Sequence, residues 1–241
     1  MNEPLRPIAQ GGKALISLRG VSFSYEPDRP VLRGMDLELH EGERVGLIGQ
    51  NGSGKTTLLH LIVGLLRPAA GVIEVFGLAR RREADFAEVR ARVGLLFQDP
   101  DDQLFCPTVA EDVAFGPLNL GKGRDEVRDI VAETLKSLGL EGYENRITYK
   151  LSGGEKRLAS LATVLAMRPE VLLLDEPTAG LDEDTVERVV RILDGLPHGG
   201  QVKLSFGRPA RGPLSMIIVS QDHEFLRRTT GRTVCLSARA S

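Results

Sequence analysis

The sequence predicts an α/β fold: a mixed sheet with flanking helices, led by antiparallel strands and interrupted by an inserted helical subdomain. Three observations carry that expectation. The glycine-rich stretch GQNGSGKTT lies between an apolar run at residues 45–48 and another at residues 58–66, which is the order strand, loop, helix. Two further short runs, at 171–174 and 215–219, have the length and composition of strands buried in a parallel sheet. Between residues 98 and 151 the apolar spacing is mostly helical instead. At 241 residues the chain suits one large domain. Residues 1–97 and 169–241 are expected to form its core, and 98–168 the inserted helical subdomain.

Composition narrows the partners. Charged residues make up 27% and the formal net charge is −2, so nucleic acid is not an expected partner. Cys106 and Cys235 lie far apart without metal-ligand spacing and read as reduced cytosolic thiols. No apolar run approaches the ~20 residues that span a bilayer, and the N-terminus lacks the features of a signal peptide. Work at a membrane would therefore go through a partner.

Taken in order, residues 1–13 are polar and bear Pro and Gly, a frayed lead-in. Residues 14–18 and 21–25 read as strands, and Glu26, Pro27 and Asp28 as the turn toward Val31 and Leu32. Tyr25 closes its strand and suits either the core or a stacking contact with a flat base. Residues 35–39 alternate strictly, so one face is buried and the other wet. Glu41 and Gly42 then turn the chain into the strand before the glycine loop.

That loop fits G-x-x-x-x-G-K-[ST] from Gly49 through Gln50, Asn51, Gly52, Ser53, Gly54, Lys55 and Thr56, with Thr57 following. Backbone N–H groups at the start of the next helix can close around phosphate oxygens, and the helix dipole favours negative charge there. Lys55 adds a point charge for the outer phosphates, and the Thr56 hydroxyl can ligate Mg²⁺. The helix is expected over 58–66, stopping at Arg67-Pro68.

Residues 72–76 form a strand, Arg80-Arg81-Arg82 a solvated face, 84–90 a helix, and 93–97 a strand ending at Gln98. The acidic turn DPDDQLF leads to apolar Leu104 and Phe105. Thr108 and Glu111 have capping-box spacing, so a helix should start there. Apolar residues at 127, 130, 131, 135 and 138 predict a second helix, closed by Gly139. In LSGGE, Ser152 and Glu155 again have capping-box spacing. Gly153 and Gly154 leave the first-turn N–H groups uncovered, which makes a second anion-binding helix start.

The 171–174 strand ends on Asp175 and Glu176. Carboxylates there are costly unless they hold a cation or move a proton; the alternative is a strand emerging into solvent. Beside a phosphate loop, Asp175 is expected to hold Mg²⁺ through water, and Glu176 to orient or deprotonate an attacking water. Residues 177–182 make a turn, 185–193 an amphipathic helix, and 197–213 an exposed loop rich in Gly, Pro and Arg. After the 215–219 strand come Ser220, Gln221, Asp222 and His223, and a last strand is expected at 233–236.

As an ordered set, these motifs resemble the nucleotide-binding subunits of ATP-binding cassette (ABC) transporters, whose core is of the P-loop nucleoside triphosphatase type. The resemblance covers roughly residues 14–237. GQNGSGKT looks like Walker A, VLLLDE like Walker B, LSGGE like the signature motif and residues 179–182 like the D-loop, ending on Asp182. FQDPDDQLF with TVAEDVAFGP resembles the energy-coupling-factor group, nearest the cobalt and nickel uptake ATPases. The resemblance implies ATP and Mg²⁺ as ligands, Tyr25 as the adenine-stacking residue, and Gln98 as the glutamine that senses Mg²⁺ and the membrane partner.

It also implies that each ATP lies between one chain's phosphate loop and the signature helix of a second ATPase subunit, either an identical copy or a paralogue. A transmembrane subunit would dock near residues 98–105, which places the chain peripherally on the cytoplasmic face of the membrane. Two residues depart from the pattern. Glu155 stands where Gln is commoner, which a capping box accepts. Gln221 stands where a histidine contacting the γ-phosphate is usual, with His223 two residues on.

Rival classes fit less well. A chromosome-type ABC ATPase needs a long coiled coil that residues 98–151 cannot hold. A ribosome-type one usually carries two cassettes. A slow-turnover regulatory ABC ATPase stays open because of Gln221.

Overall fold

The structure is a computed structural model and describes residues 12–27, 29–196 and 213–236. Most of the expected lead-in, Asp28 and the 197–213 loop apart from Pro213 lie outside the described residues. Among the described residues the strands fall into two sheets, one for each kind of pairing. The antiparallel sheet runs β2 (Arg29–His40), β1 (Ala14–Glu26), β4 (Ala70–Val75), β5 (Leu78–Ala79). The parallel sheet runs β6 (Val93–Leu96), β7 (Val171–Asp175), β8 (Ser215–Val219), β3 (Arg44–Ile48), β9 (Arg232–Cys235).

Period-2 alternation explains why β7 and β8 are buried throughout. Val171, Leu173, Ile217 and Val219 face one core, shared with the antiparallel sheet and with Leu58, Leu59, Leu61 and Ile62 of α1 (Lys55–Ile62). Leu172, Leu174, Met216 and Ile218 face the other, filled by α3 (Val109–Asn119), α4 (Arg124–Ser137), α5 (Gly153–Leu165), α6 (Glu183–Gly195) and α7 (His223–Thr229). A sheet covered on both faces needs apolar residues at every position. The remaining helix, α2 (Phe86–Arg92), packs Phe86 and Val89 into the first core.

Both expected capping boxes form, Thr108 with Glu111 at α3 and Ser152 with Glu155 at α5. Helix α4 spans the predicted periodic stretch, with Gly139 beyond its end at φ 62°.

Several expectations are corrected. The two strands read at 14–18 and 21–25 are one, kinked by register shifts along its pairing with β2. Helix α1 begins at Lys55 and ends at Ile62 rather than running to residue 66. Its end is a left-handed cap: Gly64 at φ 74° donates to the Leu61 carbonyl, and Leu65 N–H to that of His60. A Cβ on Gly64 would lie 2.3 Å from the Phe86 ring, so sterics and conformation both require glycine there.

Arg80 does not belong to a solvated face. It is buried and donates to the carbonyls of Val75 and Asp85 and to the Glu88 carboxylate. Leu104 is buried in the second core, whereas Phe105 is 64% exposed. Helix α7 was not anticipated. Asp222 caps it by accepting from the N–H groups of Glu224 and Phe225.

Candidate functional site

The C-terminal ends of β3, β7 and β8 open on one cleft of about 300 Å³, lined by Tyr25, Val31, Asn51, Gly52, Gly54, Lys55, Thr56, Thr57, Gln98, Asp175, Glu176, Val219 and Gln221. Crevices beyond the carboxyl ends of parallel strands are where open α/β sheets bind ligands. The phosphate loop leaves β3 and enters α1 at Gly54, which sits at φ 93°. A Cβ there would come within 2.9 Å of Val31 and 2.8 Å of Leu32. No side chain caps α1 and no acid occupies its first turn, so its N–H groups are left for an anion. Lys55 is buried, and its Nζ donates to the carbonyls of Gly49 (2.8 Å) and Gln50 (3.1 Å), curling the loop around its own cation. Ser53 is buried beneath the loop.

Asp175 and Glu176 are 2% and 8% exposed. Burial raises both pKa values. For Asp175 a hydrogen bond from Thr56 opposes the rise, and for Glu176 the N–H of Gln221, 3.3 Å from Oε2, does so. Asp175 Oδ1 and Glu176 Oε1 have no hydrogen-bond partner. A buried carboxylate oxygen left unpaired is costly unless a cation or water takes it. Glu176 holds φ 46°, unusual for a non-glycine residue, while its N–H donates to the Val219 carbonyl.

Tyr25 is 62% exposed at the cleft mouth, set edge-on against Phe23, with its hydroxyl 3.1 Å from Thr57 Oγ1. It is therefore not a core aromatic. Gln221 reaches the cleft and donates from Nε2 to Asn51 Oδ1 at 2.8 Å. His223 heads α7, exposed, and does not line the cleft.

The signature residues Ser152, Gly153, Gly154 and Glu155 do not line this cleft, and neither does Asp182. Asp182 caps α6 through its bond from Thr185 N–H. Glu155 accepts from Ser152 N–H (2.8 Å), the Tyr143 hydroxyl (2.7 Å) and Arg146 (2.7 Å). These bonds, that from Ser152 foremost, hold its carboxyl at about 2 against an ordinary 4.5. A depressed acid stabilises the fold fully above its unfolded pKa and loses that stabilisation as pH falls through the folded one. Glu155→Gln should therefore cost at most about 1 kcal/mol above pH ~4.5, the ceiling for a solvent-screened pair, and progressively less as pH falls toward 2. Thermal unfolding of both proteins from pH 2 to 6 checks this, and a gap undiminished at pH 2 contradicts it.

Residues not anticipated from the sequence tie Gln98 to the signature helix. Arg157 of α5, buried, donates to the carbonyls of Phe97 (2.8 Å) and Gln98 (2.6 Å). Gln103 accepts from Phe97 N–H and donates to Ser160 O and Thr163 Oγ1, and Lys156 pairs with Asp101. Only the positions of these side chains mark them. An Arg shortly after a capping box and a Gln in an acidic turn carry no local sign of these bonds.

A second cleft, of about 280 Å³, lies beside this segment. Val63, Leu65, Phe97, Phe105, Phe115 and Met167 are among its apolar walls. The rings of Phe105 and Phe115 meet edge-to-face at 4.8 Å.

A triphosphate suits the first cleft, and the fold around it is that of a P-loop nucleoside triphosphatase. Within that class the chain belongs to the ABC transporter family, which matches residues 32–179. The energy-coupling factor transporter ATP-binding protein EcfA of Methanothermobacter thermautotrophicus is 44% identical over 225 residues, 93% of this chain and 68% of its own. The cobalt import ATP-binding protein CbiO of Syntrophus aciditrophicus is 46% identical over 187 residues, 77% of this chain and 67% of its own.

Among solved structures, cbiO1 of Clostridium perfringens, part of the transporter complex cbiONQ, aligns with a TM-score of 0.75 at 30% identity, covering 92% of this chain and 87% of that one. A dimeric ATP-binding cassette in a post-hydrolysis state with ADP and Pi aligns at 0.79 and 25% identity, covering 93% and 97%. The chain is thus an ABC-type ATPase similar to the ATP-binding subunits of energy-coupling-factor importers.

Proposed function

We propose that the chain binds and hydrolyses ATP to power an importer of the energy-coupling-factor type that carries cobalt or nickel ions. The cation class rests on the relative named for cobalt import. The mechanistic reading rests chiefly on one observation: the phosphate cleft and the α5 N-terminus belong to separate places in one chain. A complete site then takes a second ATPase subunit, identical or paralogous, whose Ser152, Gly153, Gly154 and Glu155 equivalents close over the phosphates, with Asp182 at the junction.

In this reading Gly49, Gln50, Asn51, Gly52, Ser53, Gly54, Lys55, Thr56 and Thr57 cradle the phosphates, and Tyr25 stacks on the adenine. Thr56, Gln98 and Asp175 (through water) hold Mg²⁺. The unpaired Asp175 oxygen beside the Thr56 hydroxyl suits a hard cation. Bound there, the ion would neutralise charge between the outer phosphates. Among the described residues no cluster of three or more His, Cys, Asp or Glu could hold a metal alone, which fits an ion shared with phosphate. Residues 98–168 act as a helical subdomain on a core of 1–97 and 169–241, and Arg157 carries motion of the signature helix to Gln98.

No helix among the described residues is long and apolar enough to cross a membrane; on this reading the chain sits peripherally on the cytoplasmic face through its transmembrane partner. The Phe105–Phe115 groove would receive a helix of the transmembrane subunit. Phe105→Asp should weaken capture of that subunit about tenfold, the scale of a buried aromatic anchor, and leave ATP affinity alone. Leu104, being core, would unfold the chain and cannot serve as the probe. Capture from source membranes, with the copurified integral protein identified and cobalt and nickel uptake measured in cells lacking this chain, tests the whole reading. Undiminished uptake of both ions would remove the cation assignment. Gln221 supports a second reading, a regulatory cassette that turns over slowly.

A further inference from the structure

Glu155 places a carboxylate in the first turn of the helix that, on the reading above, must accept the triphosphate bound to the other subunit. An anion there opposes the ligand, because the macrodipole that attracts one negative charge attracts the other, and the two repel. The surrounding residues answer this. Arg146 lies 2.7 Å from Glu155 Oε1, and the Tyr143 hydroxyl is 2.7 Å from the same oxygen. The Arg146 guanidinium also lies over the Tyr143 ring at 4.3 Å.

Both side chains come from the segment between α4 and α5, and that segment is fixed to the start of α3. Val109 N–H donates to the Arg146 carbonyl, Ala110 N–H to that of Glu144, and Thr108 bridges to Ile147. The backbone of Arg146 is thus anchored, and its partly exposed guanidinium is set by Glu155 and the Tyr143 ring. With Oε2 taken by the Ser152 N–H, both Glu155 oxygens are engaged by donors of this chain. The helix start is open at Gly153, where an added Cβ meets nothing within 4 Å, while at Gly154 it would lie 3.4 Å from the Thr185 side chain.

We propose that Arg146, oriented by Tyr143, is a positioning residue for the shared nucleotide site: it neutralises Glu155 so that the α5 N-terminus can receive the other subunit's ATP. Arg146 touches no substrate and acts through Glu155. The proposal rests on the shared-site reading, and its test separates the two.

In a Glu176→Gln background the MgATP-driven dimer is followed by sedimentation at low and at physiological salt, with ATP affinity of the separate subunit measured alongside. Arg146→Ala should weaken dimerisation about fivefold, the upper range for a partly exposed pair. The loss should shrink with added salt, and subunit ATP affinity should not change. Adding Glu155→Gln to Arg146→Ala should restore dimerisation to within about twofold of Glu155→Gln alone, since a neutral cap needs no counterion. Arg146→Lys should retain most of it, even if the alanine variant proves unstable.

A dimer indifferent to Arg146→Ala, or a double variant as weak as Arg146→Ala, would overturn the proposal while leaving the shared site standing. A Glu176→Gln protein that never dimerises, alone or with its copurifying ATPase, would remove the shared site itself.

Discussion

Glu176→Gln is expected to bind MgATP within a few-fold of the unaltered protein, to lose on the order of 10²–10⁴-fold in turnover, and to accumulate as an ATP-bound dimer. The argument begins with burial. Glu176 is 8% exposed, one carboxylate oxygen has no partner, and desolvation holds its pKa up. A base whose pKa is raised toward neutrality removes a proton from water more readily than an ordinary carboxylate.

The amide keeps the size and the bond from Gln221 N–H but cannot take the proton. Binding is carried elsewhere, by the uncapped start of α1 and by Lys55, so it should survive. Equilibrium nucleotide titration, steady-state phosphate release and sedimentation with saturating MgATP check the three parts separately. Turnover within tenfold of the parent would mean that another group activates the water.

Much of this site was legible because its chemistry is local. A phosphate loop needs glycine at fixed offsets, a capping box needs Ser or Thr three residues before Glu, and a two-faced strand needs an unbroken apolar run. The structure has each where the sequence put it. What escaped was set by how the chain folds back on itself rather than by any motif. Arg80 looked solvated within a run of three arginines because no motif reveals that the β4–β5 turn and α2 bring the Val75 carbonyl and Glu88 around it.

Leu104 and Phe105 are neighbours of like character, yet only the packing of α3 and α5 decides that one is core and the other surface. The early end of α1 follows from a Gly64 bond pattern and the Phe86 ring, 22 residues downstream of it in the chain. Arg157, Arg146 and Tyr143 carry no motif at all. Their roles exist only in the bonds they make across loops.

Gln221→His should raise turnover by up to about 10²-fold, the low end of what a positioned acid–base group supplies, and His223→Ala should change it little. Gln221 occupies the cleft beside Glu176, while His223 begins α7 outside it. Asp222 fixes that register, since its side chain caps α7 through two N–H groups, and a shift that brought His223 inward would break both bonds.

The amide can donate to a phosphate oxygen but carries neither a proton to exchange nor a positive charge. It is engaged with Asn51 of the phosphate loop. Its backbone N–H still steadies Glu176, so the natural protein should hydrolyse slowly rather than not at all. Histidine at this position should also introduce a titration near pH ~6.5 into the turnover profile. Steady-state rates of the three proteins between pH 5.5 and 8.5 decide the matter. Normal turnover in the natural protein, together with an inactive His223→Ala, would reverse the assignment and give the switch to His223.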